Sequence, residues 1–185
     1  MIRAGAIACA LAILLGPLYT APGYDWVRHS VSELAGQATA NAWIMRLGLA
    51  ALGVSAMAAF VGNRQRFNGF FLLFGLCIFL TAIFPHKPFF AGQEYSQALD
   101  QWHSLFASLG GFAAVLAFAF EAGRPGATAT RIGAGVLAAL YTGLSAAMFQ
   151  WPAYQGVFQR VIFGTFIVWM LVFGDVGRAR QDGSK

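Results

Sequence analysis

The chain has 185 residues, of which 58% are hydrophobic and only 10% charged, whereas soluble domains carry about 25% charged residues. A water-soluble globule of this length has too little interior to hide that much Phe, Leu and Ala, so that class is excluded. The net charge of +5 does not point to nucleic acid, because the basic residues form no run, and no nucleic-acid partner is expected.

Six apolar runs follow one another, at 2–21, 41–62, 68–84, 102–120, 131–149 and 157–174. Each is close to the ~20 residues that cross a ~30 Å hydrocarbon layer as a helix. The first run follows Arg3 and has the look of a cleaved signal, but cleavage after Ala21 would put Tyr19 where a small residue is needed. It is therefore expected to stay as a span. What lies between the runs is too short for a second core, so residues 1–185 are expected to form a single six-helix transmembrane domain, all-α, with no soluble domain. Cys9 and Cys77 fall inside the first and third runs and form no C-x-x-C pair, so they read as small packing residues.

The first connection, 22–40, contains Tyr24, Asp25, Trp26, Arg28, His29, Ser30 and Glu33. Ser30 and Glu33 fit an S-x-x-E capping box. Val31 and Leu34, three apart, predict a short helical turn lying at the membrane interface. Arg46 lies just inside the second run and is expected to snorkel. Phe67, Phe70, Phe71, Phe74 and Phe79, in or beside the third run, read as packing or lipid-facing bulk. Pro85 ends that run, because its ring removes a donor and disfavours helix at the residue before it.

After the connection through His86, Lys87, Glu94 and Asp100, the fourth run opens at Trp102-His103. His103 heads a small-residue stripe, Ala107, Gly110, Ala114 and Ala117, of the kind that lets helices approach closely, which places His103 at the mouth of the bundle. The last connection, through Trp151 and Tyr154, leads to Gln159 and Arg160 at the start of the sixth run. Arg160 keeps its charge, so it must either snorkel or pair with a carboxylate, from Glu33, Asp100 or Asp25. Trp26, Trp43, Trp102, Trp151, Tyr24, Tyr95 and Tyr154 collect at the same boundary as an aromatic belt.

Lys and Arg are distributed unevenly. Arg3, Arg64, Arg66, Arg124, Arg131, Arg178, Arg180 and Lys185 fall on one side, against Arg28 and Lys87 in the loops of the other. By the positive-inside rule both termini are expected in the cytoplasm, and the polar odd-numbered connections face out.

Four motifs together resemble a known family. H-S-V-S-E-L-A-G at 29–36, F-P-H at 84–86, W-H-S-L at 102–105 and G-V-F-Q-R at 156–160, followed by Trp169, are similar to a bacterial membrane family catalogued as domain of unknown function 998. The resemblance runs along nearly the whole chain in the same order and implies a six-helix fold in the bacterial inner membrane. It implies no activity. The family pattern has a short polar Asp-containing stretch where this chain has His86-Lys87-Pro88, so it implies no general role for His86.

These features lead to an expected module that binds or handles an amphipathic lipid molecule at an outward-facing polar pocket. His29, Ser30, Glu33, His103, Gln159 and Arg160 are its candidate ligand-binding residues, with Arg160 suited to an anionic head group. Membrane lipids are the expected partners, and the oligomeric state is left open. Two alternatives stand beside it, a metal-dependent intramembrane hydrolase and a small transporter. No cofactor and no metal site are predicted, since no two histidines have helical ligand spacing; a zinc site would have to draw on His29, His86 and His103. No catalytic residue is assigned, so whether the protein is an enzyme stays open.

Overall fold

The computed structural model describes residues 2–62 and 67–173; Arg64, Arg66, Arg178, Arg180 and Lys185 of the charge count lie outside them. The described residues are helical, with no strand among them: α1 (Ile2–Leu14), α2 (Gly16–Tyr19), α3 (Val31–Leu34), α4 (Ala42–Gly62), α5 (Gly69–Ile83), α6 (Gln97–Gly123), α7 (Thr128–Gln150), a 3₁₀ turn Pro152–Tyr154 and α8 (Gln155–Phe173). Four helices, Ala42–Gly62, Gln97–Gly123, Thr128–Gln150 and Pro152–Val172, are long and apolar enough to cross a membrane, which is the make-up of a membrane-embedded protein.

The first and third runs form shorter helices than expected, each for a local reason. α1 stops at Leu14 because Pro17 has no N–H to offer the carbonyl of Ile13, and the chain restarts as the single turn α2 with Pro17 in its first turn. α5 has 15 residues, about 22 Å at 1.5 Å per residue. It is bounded by Asn68, whose side chain caps Phe70 N–H at 3.1 Å, and by Phe84 before Pro85. In contrast, α6 begins five residues before the fourth run, at a first turn capped by the Ser96 side chain.

The six apolar helices close into a ring. α1 packs on α4, α4 on α5, α5 on α6, α6 on α7 and α7 on α8, and α8 returns to α1. Inside the ring lie Phe71, Phe74, Phe118, Tyr141, Phe166 and Trp169, all buried. Phe74 stacks on Phe166 with ring centroids 3.8 Å apart, and Phe118 meets Trp169 edge-on at 5.3 Å. Gly110, Ala114 and Ala117 are buried on the inner face of α6, as the small-residue stripe predicts.

Where hydrocarbon surrounds the helices, close backbone approach replaces the hydrophobic effect as the source of association. α4 and α5 achieve this at Gly53 and Gly75: a Cβ on Gly53 would stand 2.6 Å from the Gly75 carbonyl oxygen, and one on Gly75 would stand 2.7 Å from that of Gly53. Gly75→Val should therefore force the two helices apart and cost about 3 kcal/mol, at the upper end of overpacking penalties. The check is thermal unfolding in detergent, with Gly111→Ala, where nothing lies within 4 Å, as the neutral control.

Candidate functional site

The first connection folds back over one end of the bundle. α3 nucleates there because Ser30 Oγ accepts Glu33 N–H at 3.2 Å and Glu33 Oε2 accepts Ser30 N–H at 2.5 Å, the reciprocal pair of a capping box. Its Val31 and Leu34 are fully buried, and Leu34 fills the space left by the missing side chain of Gly16. The turn plugs the end of the bundle. Its last carbonyls are also matched. Thr39 Oγ1 donates to Glu33 O at 3.2 Å, and Arg46 donates to Ala35 O at 2.9 Å and Gly36 O at 3.2 Å. Arg46 thus caps a helix turn.

Arg160 does the same for the first half of the loop. Its Nη1 donates to Trp26 O at 2.7 Å, His29 O at 3.0 Å and Gly156 O at 2.9 Å, and its Nη2 to the Tyr24 hydroxyl at 2.5 Å. The guanidinium also lies 5.7 Å from the Tyr24 ring centroid and 5.8 Å from that of Trp26, within cation–π range. The expected carboxylate pair does not form among the described residues, because the partners are carbonyls and a phenol. Tyr24 donates onward to His29 O at 3.1 Å or Ser30 O at 3.2 Å. Burial pushes its phenol above the ordinary value while Arg160 pulls it back, so the hydroxyl keeps its proton at neutral pH.

Gly156 makes this contact sterically feasible. A Cβ there would stand 2.4 Å from Trp26 O, 2.5 Å from His29 O and 2.8 Å from Val27 O. Val27 O instead accepts the free N–H groups of Gly156 and Val157 at 3.0 and 3.3 Å, orphan donors of the first turn of α8. Gln159 completes the seam, with Ser32 N–H donating to Oε1 at 3.1 Å and Nε2 donating to Ser32 Oγ at 3.3 Å.

Gln37 ties the same loop to the next connection. Its side chain donates to Pro85 O at 3.2 Å and Ser96 O at 3.0 Å and accepts from Ser96 N–H at 2.8 Å; its own N–H donates to His86 O at 2.7 Å. There His86 Nδ1 pairs with Asp100 Oδ1, which also accepts Lys87 N–H at 2.8 Å. The His86 ring stacks on His103 at 5.0 Å and 18°. His103 is only 2% exposed. Its Nδ1 stands 2.8 Å from Phe84 O and 3.2 Å from Thr81 O, two acceptors, so that atom carries the proton. Among the described residues Nε2 is then a buried acceptor without a hydrogen-bond partner, a condition that costs ~1–3 kcal/mol.

The contacts fall into two groups joined by the first connection. Ser30, Glu33, Gln159 and Arg160 meet at α8, and His103 meets His86 and Asp100 at α6. His29 packs its ring on Tyr24 and Phe89 at 5.4 and 4.9 Å, and its Nδ1 accepts Asp25 N–H at 2.8 Å, apart from the other two histidines. Among the described residues no three His, Cys, Asp or Glu side chains converge on one point. The near-parallel stacking of His86 and His103 also directs their in-plane lone pairs along separate lines.

Gln37 escapes a sequence reading, as do the roles of Gly156 and Arg46, since their partners are backbone groups. So does Glu121, buried at the opposite end of α6 and paired with Arg124 at 3.0 Å; an acidic residue ending an apolar run is its one signal. Of the aromatic belt, Trp26, Trp43, Trp102, Trp151, Tyr95 and Tyr154 are exposed, while Tyr24 serves the loop instead.

A cavity of about 360 Å³ opens elsewhere, between α7 and α8, lined by Leu137, Val161, Gly164, Val168, Trp169 and Val172 among others. The space is apolar, where the sequence suggests a polar pocket.

Residues 3–175 match the family described as protein of unknown function (DUF998). The chain belongs to this family. No curated protein and no solved structure matches it. The G-V-F-Q-R motif of this DUF998 chain now has a physical content: the glycine admits the loop carbonyls, the glutamine binds Ser32, and the arginine gathers the carbonyls of 26 and 29.

Arg160→Ala should strip donors from three carbonyls and cost about 3 kcal/mol, given ~1.5–3 kcal/mol for a hydrogen bond to a charged group and incomplete additivity. Arg160→Lys should recover less than half, because an ammonium does not reproduce the planar fork. Thermal unfolding gives the cost, and faster hydrogen exchange confined to residues 24–34 locates it. Gly156→Ala should release the same segment although Arg160 is intact.

Proposed function

We propose that the protein is a six-span protein of the bacterial inner membrane, with both termini cytoplasmic, that binds an amphipathic lipid. The lipid's chain lies in the α7–α8 groove and its head at the loop end of the bundle. α1 with α2, and α5, serve as the two short spans; flanking Tyr19 and Phe84 extend their apolar reach, and a short span is accommodated by local thinning of the bilayer. The Lys and Arg asymmetry supports the orientation. A reporter active only in the cytoplasm should work when fused after Lys185 and fail within 93–100; the reverse pattern would refute the topology.

The observation that carries the lipid reading is the position of the groove. It begins at Val161, the residue after Arg160, and follows α8 to Val172, about 16 Å at 1.5 Å per residue. It thus descends from the polar loop end into the apolar length of two candidate spans, where Val161, Val168 and Val172 are exposed. At that depth the surrounding medium is hydrocarbon chain. Gly164 leaves room in its floor, since nothing lies within 4 Å of a Cβ there. Loop carbonyls, Gln159 and Arg160 fix the head end, with Ser30 and Glu33 holding the turn and His29 and His103 on the same end of the bundle.

Gly164→Leu fills the groove without a clash. Native mass spectrometry of the purified protein should show lipid retained by the wild type and several-fold less by Gly164→Leu, at an unaltered melting temperature. Equal retention would remove the groove from the reading, and no retention by either protein would end the lipid assignment.

A further inference from the structure

The polar groups of the loop end are unequally matched. Its principal side-chain donors have partners: Arg160 and Arg46 on carbonyls, Gln37 on Pro85 and Ser96, Gln159 on Ser32. Among the groups with no partner in the described residues are the Thr20 hydroxyl and three acceptors that sit together. His103 Nε2 is buried with no partner. His86, in its neutral form, donates Nδ1–H to Asp100 and keeps a lone pair on Nε2, for which the described residues supply no donor. Asp100 uses Oδ1 for both of its bonds, which leaves Oδ2 open. These groups belong to one stacked unit at the first turns of α6.

We propose that His86, His103 and Asp100 form a head-group subsite that takes a lipid head bearing hydrogen-bond donors, a hydroxyl or a primary ammonium. This rests on the lipid reading above and adds the chemistry of the head. A bare phosphodiester offers only acceptors and would face lone pairs and a carboxylate there, so it is repelled; a hydroxyl or ammonium supplies what the cluster lacks. The Lys87 ammonium, exposed beside the pair, suits the phosphate that joins such a head to its chains. The His86 ring covers His103, and a donor reaches the buried Nε2 when that ring swings on its bond to Asp100. Before that, His103 sits with an unmet acceptor, so the site is poised for a ligand and poorly satisfied without one.

The test is competition among three lipids of equal chain length, phosphatidylethanolamine, phosphatidylglycerol and phosphatidylcholine, presented together in equimolar nanodiscs to the full chain. Native mass spectrometry then reads the lipid kept on extraction. The wild type should keep the ethanolamine lipid, the glycerol lipid or both about tenfold over choline, the factor that one to two net hydrogen bonds supply. Which of the two is kept identifies the donor as ammonium or hydroxyl. His86→Phe preserves the stacked ring without its nitrogens and should bring the preference to about even. In the wild type, the ¹⁵N resonance of His103 Nε2 should move on adding the preferred lipid and stay fixed with choline, a readout that needs no variant to fold. Equal retention of all three lipids, or a preference that survives in His86→Phe with a still His103 resonance, would overturn the subsite and leave the groove reading standing. Loss of all retention would overturn both.

Discussion

The polar end of this protein depends on matching backbone carbonyls that no helix satisfies. A loop that runs across a bundle end presents C=O groups partly shielded from water, and each must find a donor. Here the donors are two guanidinium groups, Arg46 and Arg160, and the free amides opening α8. Arg is suited to this because its planar fork reaches several acceptors at once and keeps its charge. Gly156 is the steric condition for it. With the loop held this way, the aromatic rings of Tyr24 and Trp26 flank the cation and α3 stays plugged into the bundle.

That commitment shapes what the end of the bundle is able to recognise. A sequence with Arg28 and Arg160 near one boundary suggests a site for anions, and Arg28 does stay at the surface beside Asp25. Arg160, like Arg46, is engaged with the protein's own backbone. The groups left over accept hydrogen bonds and cluster at the start of α6, while the apolar space lies apart between α7 and α8. The unmatched acceptors and the apolar space are thus divided among different helices, and the first connection is the element that touches both sides.

Much of the fold was legible because it rests on local pattern. The six apolar runs became the six apolar helices of the ring, Pro85 ended α5, and S-x-x-E at 30–33 formed its box. Misjudged boundaries have physical causes. The first turn of α6, Gln97 to Asp100, carries a polar residue at each end and so does not extend the apolar run, and the break before Pro17 concerns a lost donor inside an otherwise apolar run. The site was less legible. Every residue has a carbonyl, so a side chain that binds carbonyls leaves no partner residue to look for. Arg160 therefore read as snorkelling or ion-paired, and Gln37 did not stand out. The stacking of His86 on His103 depends on how the 84–96 connection folds, which no spacing in the sequence encodes.

The bond from Arg160 to Trp26 spans 134 residues of chain, and this fixes an order of events during biosynthesis. The ring of helices closes only when α8 meets α1. Until the ribosome has released α8 into the membrane, the first connection has no guanidinium and no open helix end to dock on, and its carbonyls stay with water. The polar end is therefore the final part to acquire its shape, however early its residues were made. Contacts so distant in sequence also form slowly, since closing the intervening chain opposes them. A chain that stalls before α8 would leave the loop end in an unfinished state, its carbonyls without the donors that later hold them.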